Sequence, residues 1–235
     1  MVSSPSTGTT PPDARFGVRS VLALVSLALV AVPFGLLLFF VQDNWPPLRA
    51  VDQGGRDGLH RFALAHHTFT AVMKALSTIG SAPVYFAVFA VLVAWLLHRR
   101  RRGLAAFVAV TEAGGAVLNE LVKTVVHRAR PVVADPVAHA SGLSFPSGHA
   151  QSAVVSYSLL LLLFWNSAGR RWRPVAVAVA AVVVLGIGLS RTALSVHYVS
   201  DVLAGYALGA AWVVAMTATF GAWHRENPSR FEEEP

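Results

Sequence analysis

Long apolar segments recur along this chain and leave few choices of fold. Six of them reach or approach the length of a membrane span. An apolar helix needs about 20 residues to cross the hydrocarbon core of a bilayer, and irregular backbone is not tolerated against lipid. The segments cover residues of about 18–41, 82–98, 104–123, 148–166, 174–191 and 198–222. They predict an all-α polytopic membrane protein with six transmembrane helices.

Composition supports this fold class and excludes several kinds of site. Of the 235 residues, 54% are hydrophobic and 13% are charged, against roughly 25% charged residues in an average soluble domain. The chain has no cysteine, which excludes disulfides, thiolate zinc sites and cysteine nucleophiles. Acidic residues are too few and scattered for the carboxylate cluster of a two-metal hydrolase. We therefore expect a site with no metal and no cofactor.

Arginine clusters predict the orientation of the helices. They comprise Arg15 and Arg19, Arg99 to Arg102, the group Arg170, Arg171 and Arg173, and the pair Arg225 and Arg230. In the six-helix order all four clusters fall on one side, which the positive-inside rule assigns to the cytoplasm. Both termini are then cytoplasmic. This topology explains the net charge of +7 better than a nucleic-acid partner does.

The chain divides into three predicted regions. A disordered cytoplasmic leader covers residues 1–17, the membrane domain covers 18–222, and a cytoplasmic tail covers 223–235. Between the first two spans, apolar residues recur at three- and four-residue spacing, which predicts an amphipathic helix over about 57–79 at the outer interface. Such a helix either covers the bundle as a packing element or gates the entry of a lipid substrate.

Polar residues concentrate where four predicted helices meet the outer face. The third helix ends at "KTVVHRARP", with Lys123 and Arg130. The fourth begins after "SFPSGHA", where Pro146 precedes a Ser147 suited to cap the helix. Free backbone N–H groups at Ser147 and Gly148 are expected to face an anion there. The order of spans brings these distant segments to one side of the membrane.

The last polar segment, "SRTALSVHYVSD", adds Arg191, His197 and Asp201. His197 and Asp201 are four residues apart, so a carboxylate–imidazole hydrogen bond is available if the sixth helix has begun. Such a pair can act as an oriented nucleophile or base. Together with the cations and His149, it predicts a site for a tetrahedral oxyanion, most plausibly phosphate.

These three segments, in this order, resemble the three motifs of the type 2 phosphatidic acid phosphatase superfamily, and the helix layout is similar to its integral-membrane lipid phosphatases. The resemblance implies that His197 is the nucleophile, that Asp201 orients it, and that His149 serves the leaving group. It further implies phosphate binding by Lys123, Arg130, Ser147, Gly148 and Arg191. No metal is required.

The predicted function is hydrolysis of a lipid phosphate or diphosphate at the extracytoplasmic face of the cell membrane, through a phosphohistidine. Undecaprenyl diphosphate is the favoured substrate, with phosphatidic acid or phosphatidylglycerophosphate as the alternative. A non-catalytic lipid-phosphate binder or transporter is a second hypothesis, and a vanadate-dependent haloperoxidase is a third. The partners are the lipid substrate and the bilayer, with no nucleic acid, and the oligomeric state stays open.

Neighbouring polar residues receive structural interpretations. His127 and Arg128 are expected to be solvated loop residues, with contact to the phosphate as the alternative. Glu120 is expected to pair with Lys123 or to join a buried network. Glu112 is expected to hydrogen bond between helices, with a position beside a cavity as the alternative. Gly205 and Gly209 form a Gly-x-x-x-Gly pattern, which indicates close helix packing.

Overall fold

The computed structural model describes residues 12–226, with the side chains of residues 25–221. Among these residues it contains eight α-helices and no β-strand. The helices are α1 (Pro12–Gln42), α2 (Pro46–Ala65), α3 (His67–Ile79), α4 (Ala82–His98), α5 (Arg102–Val126), α6 (Gly148–Phe164), α7 (Arg173–Ala193) and α8 (Val199–Glu226). The predicted all-α fold is confirmed.

Each of the six predicted apolar segments forms a helix, namely α1 and α4 to α8. Four of them contain a stretch long and apolar enough to cross a membrane: Val25–Gln42, Arg102–Val126, Arg173–Ala193 and Val199–Gly221. The pair α3 and α4, bent by 43°, passes the same test as one broken span. At 17 residues, α4 and α6 are each about 26 Å long, less than a hydrocarbon core of about 30 Å. Six spans and cytoplasmic termini remain predictions.

The amphipathic segment differs from its prediction. Two helices, α2 and α3, replace the single helix expected over about 57–79, and they meet at His66. The backbone of His66 (φ −128°, ψ 88°) is not helical, and the Thr70 hydroxyl donates to the Ala63 carbonyl across the break at 2.6 Å. The spacing of apolar residues continues through His66, so periodicity did not reveal the change of direction.

Two predicted boundaries also shift. The helix α1 begins at Pro12, six residues before the predicted start of the membrane domain at residue 18. Likewise, α8 continues to Glu226, past the predicted start of the tail at residue 223. The rest of the leader, residues 1–11, and the rest of the tail, residues 227–235, lie outside the described residues.

The core of the bundle lies between α4, α5, α6, α7 and α8. Its fully buried side chains include Val108 on α5, Leu159 on α6 and Ile187 on α7. A smaller cluster joins α3 to the end of α7 and the following turn, where Met73 packs with Leu194 and Val196. The helix α3 therefore packs directly against the segment that carries the last polar motif.

Polar side chains join the helices inside the bundle. Asn119 on α5 donates to Gln151 on α6 at 2.6 Å, and Gln151 donates in turn to the Gly115 carbonyl at 2.7 Å. Deeper in the bundle, Ser156 donates to Glu112 at 2.8 Å, which is the interhelical hydrogen bond expected for Glu112. Buried polar groups need such partners because water cannot reach them.

The predicted close packing at Gly205 and Gly209 is confirmed. A Cβ at residue 205 would lie 2.6 Å from the Ser147 carbonyl oxygen, and one at residue 209 would lie 2.8 Å from the Gln151 carbonyl oxygen. These contacts are with backbone, which cannot rotate away. The two glycines therefore let α8 approach the first turns of α6, where "PSGH" is located.

We expect Gly205→Ala to destabilise the protein because the added methyl group forces α6 and α8 apart. The cost should be about 1–3 kcal/mol in the free energy of unfolding, typical of overpacking in a tight core. Thermal unfolding in detergent measures it. Gly35→Ala on α1 is the control, since a Cβ there meets nothing within 4 Å. Equal melting temperatures for the two variants would contradict the packing described.

Candidate active site

The first group of candidate residues lies at the end of α5 and in the connection after it. Lys123 is in the last turn of α5, where its ammonium group donates to Glu120 at 2.8 Å, as expected. His127 ends the helix in the left-handed conformation (φ 51°). Beyond this cap, Arg130 Nη1 lies 3.0 Å from His197 Nε2 and donates to the Val196 carbonyl at 2.8 Å. The first and third motifs are thus in direct contact.

The second group lies at the start of α6, which begins at Gly148 directly after Ser147. The Ser147 N–H donates to the Asp201 carbonyl at 2.9 Å, so the expectation that this amide is free for an anion is wrong. The Gly148 amide is the next one in the first turn. A Cβ at residue 148 would lie 3.2 Å from Asn119 Oδ1 and 3.8 Å from Lys123 Nζ, so this glycine lets the lysine approach the helix end.

The third group lies between α7 and α8. Arg191 is in the last turn of α7, and the N–H groups of Val196 and His197 both donate to its carbonyl, at 3.1 and 3.2 Å. This tight turn, in which Ser195 has a positive φ of 58°, holds His197 close to Arg191. The Arg191 guanidinium also donates to the hydroxyl of Ser77 on α3.

His197 and Asp201 face each other, although His197 precedes the first residue of α8. His197 Nδ1 lies 3.4 Å from Asp201 Oδ2 and has no hydrogen-bond partner within the described part of the chain. The other ring nitrogen, Nε2, faces Arg130. Because a guanidinium only donates, Nε2 is the acceptor and Nδ1 carries the proton. Asp201 therefore lies on the side of the ring that selects this tautomer.

One cavity of about 680 Å³ brings most of the predicted residues together. Six of the eight candidates line it, namely Lys123, Arg130, Gly148, His149, Arg191 and His197. The other two, Ser147 and Asp201, are fully buried behind its wall. Apolar residues of α4 and α5, including Phe86 and Ala116, line the cavity as well. The cavity is thus lined by both cationic and apolar side chains.

Positive charge in this cavity is only partly compensated. Lys123 is paired with Glu120, whereas neither Arg130 nor Arg191 forms an ion pair with any carboxylate among the described residues. Arg191 Nε is buried and also lacks a hydrogen-bond partner there. Burial lowers the pKa of Arg130, which is the direction expected for a cation that lacks a counter-ion. Two uncompensated guanidinium groups beside an imidazole suit an anion such as phosphate.

Burial also governs His197. It lowers the pKa of this imidazole to about 4, and the cationic Arg130 and Arg191 act in the same direction, while Asp201 opposes them. The imidazole is therefore neutral at physiological pH, with its unprotonated Nε2 toward the cavity. A neutral ring is required of a nitrogen nucleophile.

The sequence interpretation of Arg128 is wrong, because Arg128 is not a solvated loop residue. Its Nη1 donates to Asp201 Oδ1 at 2.6 Å and to Ser200 at 2.7 Å, and its Nη2 donates to Asp52 at 2.7 Å. The guanidinium also lies 4.4 Å above the ring of Tyr198. Carboxylates hold the pKa of Arg128 above its usual value in spite of burial. The chain offered only one signal for this role, a second arginine two residues before Arg130.

Two serines were also missed. Ser144 donates from its hydroxyl to Asp201 Oδ2, and Ser77 on α3 lines the cavity beside Arg191. Serine is common in every kind of loop and helix end, so its presence at these positions carried no signal. Their importance arises only from what lies opposite them in the fold.

A family model matches residues 103–225 of the chain, about half of its length, and its description is the PAP2 superfamily. The chain belongs to the PAP2 superfamily. The matched region contains all eight predicted site residues, and the family resemblance inferred from the three motifs is confirmed. It does not contain α2 or α3, which supply Asp52 and Ser77.

Similar proteins in this superfamily are named as phosphatases. Phosphatidylglycerophosphatase B of Bacillus subtilis is 29% identical over 143 residues, covering 59% of this chain and 68% of the relative. Decaprenylphosphoryl-5-phosphoribose phosphatase of Mycobacterium tuberculosis is 36% identical over 148 residues, covering 60% of this chain and 74% of the relative. The predicted enzyme class, a lipid phosphatase of the PAP2 superfamily, is confirmed at this level.

The fold agrees with a solved member of the superfamily. The crystal structure described as the first transmembrane PAP2 type phosphatidylglycerolphosphate phosphatase, from Bacillus subtilis, superposes with a TM-score of 0.76 at 20% identity. The superposition covers 84% of this chain and 96% of that chain. This likeness shows a shared fold, and with the apolar helices it confirms a membrane protein.

Acid should destabilise this PAP2 protein partly through His197. Its pKa of about 4 in the folded protein lies below the roughly 6.5 of an unfolded histidine. Between these values the unfolded chain binds a proton that the folded chain does not, so the free energy of unfolding decreases as the pH falls from about 6.5 toward 4. We expect His197→Gln to lose less thermal stability than the wild type between about pH 7 and pH 4.5.

The matched control for this measurement is His98→Gln, which changes an exposed histidine at the opposite end of the fold, in the last turn of α4. It should follow the wild-type pH dependence. A His197→Gln variant that loses as much stability in acid as the wild type and the control would contradict the buried neutral imidazole.

Proposed function

We propose that this PAP2 phosphatase hydrolyses a lipid phosphate or diphosphate at the extracytoplasmic membrane face, through a phosphohistidine on His197. One observation carries the proposal. A buried neutral imidazole faces a cavity that contains two guanidinium groups without carboxylate partners, while a carboxylate lies behind its other nitrogen. That arrangement provides an anion site and an oriented nucleophile within hydrogen-bond distance of each other.

In the first step, the lone pair of His197 Nε2 attacks phosphorus and the bond from phosphorus to the leaving oxygen breaks. Arg130 Nη1, now 3.0 Å from Nε2, transfers its hydrogen bond to a phosphate oxygen when the substrate binds. Asp201 stabilises the positive charge that develops on the ring and keeps the proton on Nδ1.

The non-bridging oxygens are held by Arg130, Arg191, Lys123 and the Gly148 amide, all of which line the cavity. These donors are already in position before reaction, so they stabilise the negative charge of the transition state without reorganisation. The buried Ser147 hydroxyl has no hydrogen-bond partner among the described residues and is the remaining donor proposed for phosphate.

His149 completes the reaction. In the first step it donates a proton to the leaving oxygen, and in the second it removes a proton from the water that attacks phosphorus and breaks the phosphorus–nitrogen bond. The products are inorganic phosphate and either the lipid monophosphate, from a diphosphate, or the lipid alcohol, from a phosphate monoester, and His197 returns to its neutral form. The site's own cations supply the charge stabilisation, so no metal ion is required.

The residues that line the cavity indicate the class of substrate. Besides the cationic side chains, they include residues of α4 and α5 in the helix bundle, such as Phe86 and Ala116. A lipid can therefore place its phosphate among the cations while its chain stays against apolar helices. Undecaprenyl diphosphate satisfies this description and is the first candidate.

A phosphate monoester on a lipid-linked polyol is the second candidate. The two relatives described above are named for phosphatidylglycerophosphate and decaprenylphosphoryl-5-phosphoribose, which share a terminal phosphate on a hydroxylated headgroup. The cavity lining also includes the exposed residues Glu120, His139 and Ser141, which can hydrogen bond such hydroxyl groups.

We expect the purified protein to release inorganic phosphate from lipid phosphates in the presence of EDTA. His197→Ala should lower kcat by at least about a thousandfold, since loss of a nucleophile removes the chemical step itself. His60→Ala, on α2 and outside the cavity lining, is the control. Activity that needs added metal, or activity that survives in His197→Ala, would contradict the proposed mechanism. Binding of lipid phosphate without release of inorganic phosphate would favour the hypothesis of a non-catalytic binder.

The same assay distinguishes the substrate candidates. Undecaprenyl diphosphate, phosphatidylglycerophosphate and phosphatidic acid are compared by kcat/KM in one detergent. A preference for the diphosphate supports the first candidate, and a preference for phosphatidylglycerophosphate supports the second. Bromide oxidation with added vanadate, measured alongside, would instead indicate the haloperoxidase hypothesis.

The side of the membrane can be measured directly, because the chain has no cysteine. We expect Val132→Cys, in the connection between α5 and α6, to react with an impermeant maleimide in intact cells, since its side chain is 87% exposed. Asn166→Cys, in the exposed turn after α6, should react only after permeabilisation. The reverse pattern would place the active site on the cytoplasmic side.

A further inference from the structure

A buried aspartate on α2 is joined to the catalytic motif from outside the region that the family model covers. Asp52 is 1% exposed, although the helix around it is mostly exposed. Its Oδ2 accepts hydrogen bonds from Arg128 at 2.7 Å and from the Ser200 hydroxyl at 2.6 Å, and its Oδ1 accepts from the Ser200 N–H at 2.8 Å. Burial of a carboxylate is costly unless its oxygens are paired in this way.

The contact with Ser200 places the Asp52 carboxylate at the N-terminus of α8. Ser200 is the second residue of that helix, and its N–H is one of those with no partner inside the helix. A carboxylate at this end is stabilised by the helix dipole and holds the first turn in place. Close packing supports the same contact, since a Cβ at Gly55 would lie 2.8 Å from Val199.

The contact with Arg128 extends from Asp52 to the residue behind the nucleophile. Arg128 Nη2 binds Asp52, while Nη1 binds Asp201 Oδ1 at 2.6 Å. The guanidinium is planar and presents its donors in a fixed fork, so the position of one carboxylate restricts the position of the other. Asp52 therefore acts on Asp201 by two routes, through Arg128 and through the first turn of α8.

Asp201 in turn faces His197. Its Oδ2 lies 3.4 Å from His197 Nδ1, and Asp52 itself does not line the cavity. Asp52 is thus placed to orient the nucleophile without touching the substrate. The negative charge of Asp52 also matters. Without it, the only carboxylate paired with Arg128 would be Asp201, and Arg128 would compete more strongly with the His197 imidazole for the Asp201 carboxylate.

We propose that Asp52 is a positioning residue for phosphoryl transfer, which holds Arg128, Ser200 and Asp201 in the arrangement that orients His197. This inference rests on the proposed function of His197. It predicts that loss of the Asp52 charge slows attack on phosphorus while the binding of the substrate is little changed. It also assigns a role in catalysis to α2, which lies outside the region that the family model matches.

The test compares Asp52→Asn with Asp57→Asn, which changes an exposed carboxylate on the same helix. We expect Asp52→Asn to lower kcat by about tenfold to a hundredfold, the range found in metalloenzymes when a residue that orients a metal ligand is replaced. KM should stay within about twofold of the wild type, because uniform binding is unaffected. Asp57→Asn should match the wild type in both parameters.

Single-turnover labelling separates positioning from damage to the fold. With a radiolabelled lipid phosphate, a positioning role lowers the rate constant of phosphoenzyme formation, whereas partial misfolding lowers the amplitude and leaves the rate constant unchanged. We expect the first result for Asp52→Asn. A normal rate constant with reduced amplitude would overturn the inference and make Asp52 a purely structural residue.

A double-mutant cycle of Asp52→Asn and Ser200→Ala tests whether Asp52 acts through its contact with Ser200 at the start of α8. Because Ser200 and Asp52 belong to one hydrogen-bonded network, the two substitutions should be non-additive in kcat. Full additivity would overturn the network. If activity persists in His197→Ala, the proposed function and this inference both fail. If activity requires His197 while Asp52→Asn behaves like Asp57→Asn, the inference alone fails.

Discussion

The carboxylate and the carbonyl of Asp201 hold the three motifs of this protein together. Oδ1 accepts from Arg128 of the first motif, Oδ2 accepts from Ser144 just before the second, and the backbone carbonyl accepts from Ser147 within it. The same Oδ2 accepts the Tyr198 N–H at 2.9 Å, which caps α8 locally. Segments that are distant in sequence therefore meet at one buried, fully bonded residue. The position of His197 depends on it.

Charge is distributed around this centre in two layers. Behind the imidazole, Arg128 forms ion pairs with both Asp52 and Asp201, so its positive charge is fully compensated. In front of it, Arg130 and Arg191 have no carboxylate partner among the described residues. A buried pair of cations is unfavourable on its own, and an anion between them would relieve that cost. The paired charges behind the ring fix the position of Asp201 beside His197, whereas the unpaired cations in front of the ring favour an anion in the cavity.

Much of this could be predicted from the chain alone. Apolar segments of near-spanning length specify helices because the backbone must satisfy its own hydrogen bonds in lipid, and all six helices are present. The motif residues were recognisable because both their spacing and their chemistry agree with the three motifs of one superfamily. The break at His66 was not, because the apolar pattern continues through it. Asp52 was not either, because an aspartate in an amphipathic helix is usually solvated, and only the packing of α2 against α8 buries it.

Arg128 and Arg130 show which features the sequence determines and which depend on tertiary structure. The sequence by itself determined that two arginines, two residues apart, follow the third apolar segment within the first of three PAP2 motifs. It did not determine which of them meets a carboxylate, since pairing depends on where α2 places Asp52. Only the tertiary structure decided that Arg128 is paired with two carboxylates behind the His197 imidazole, while Arg130 faces the cavity with no carboxylate partner among the described residues. Electrostatic roles follow from the surroundings of a charge, and residues remote in the chain supply those surroundings.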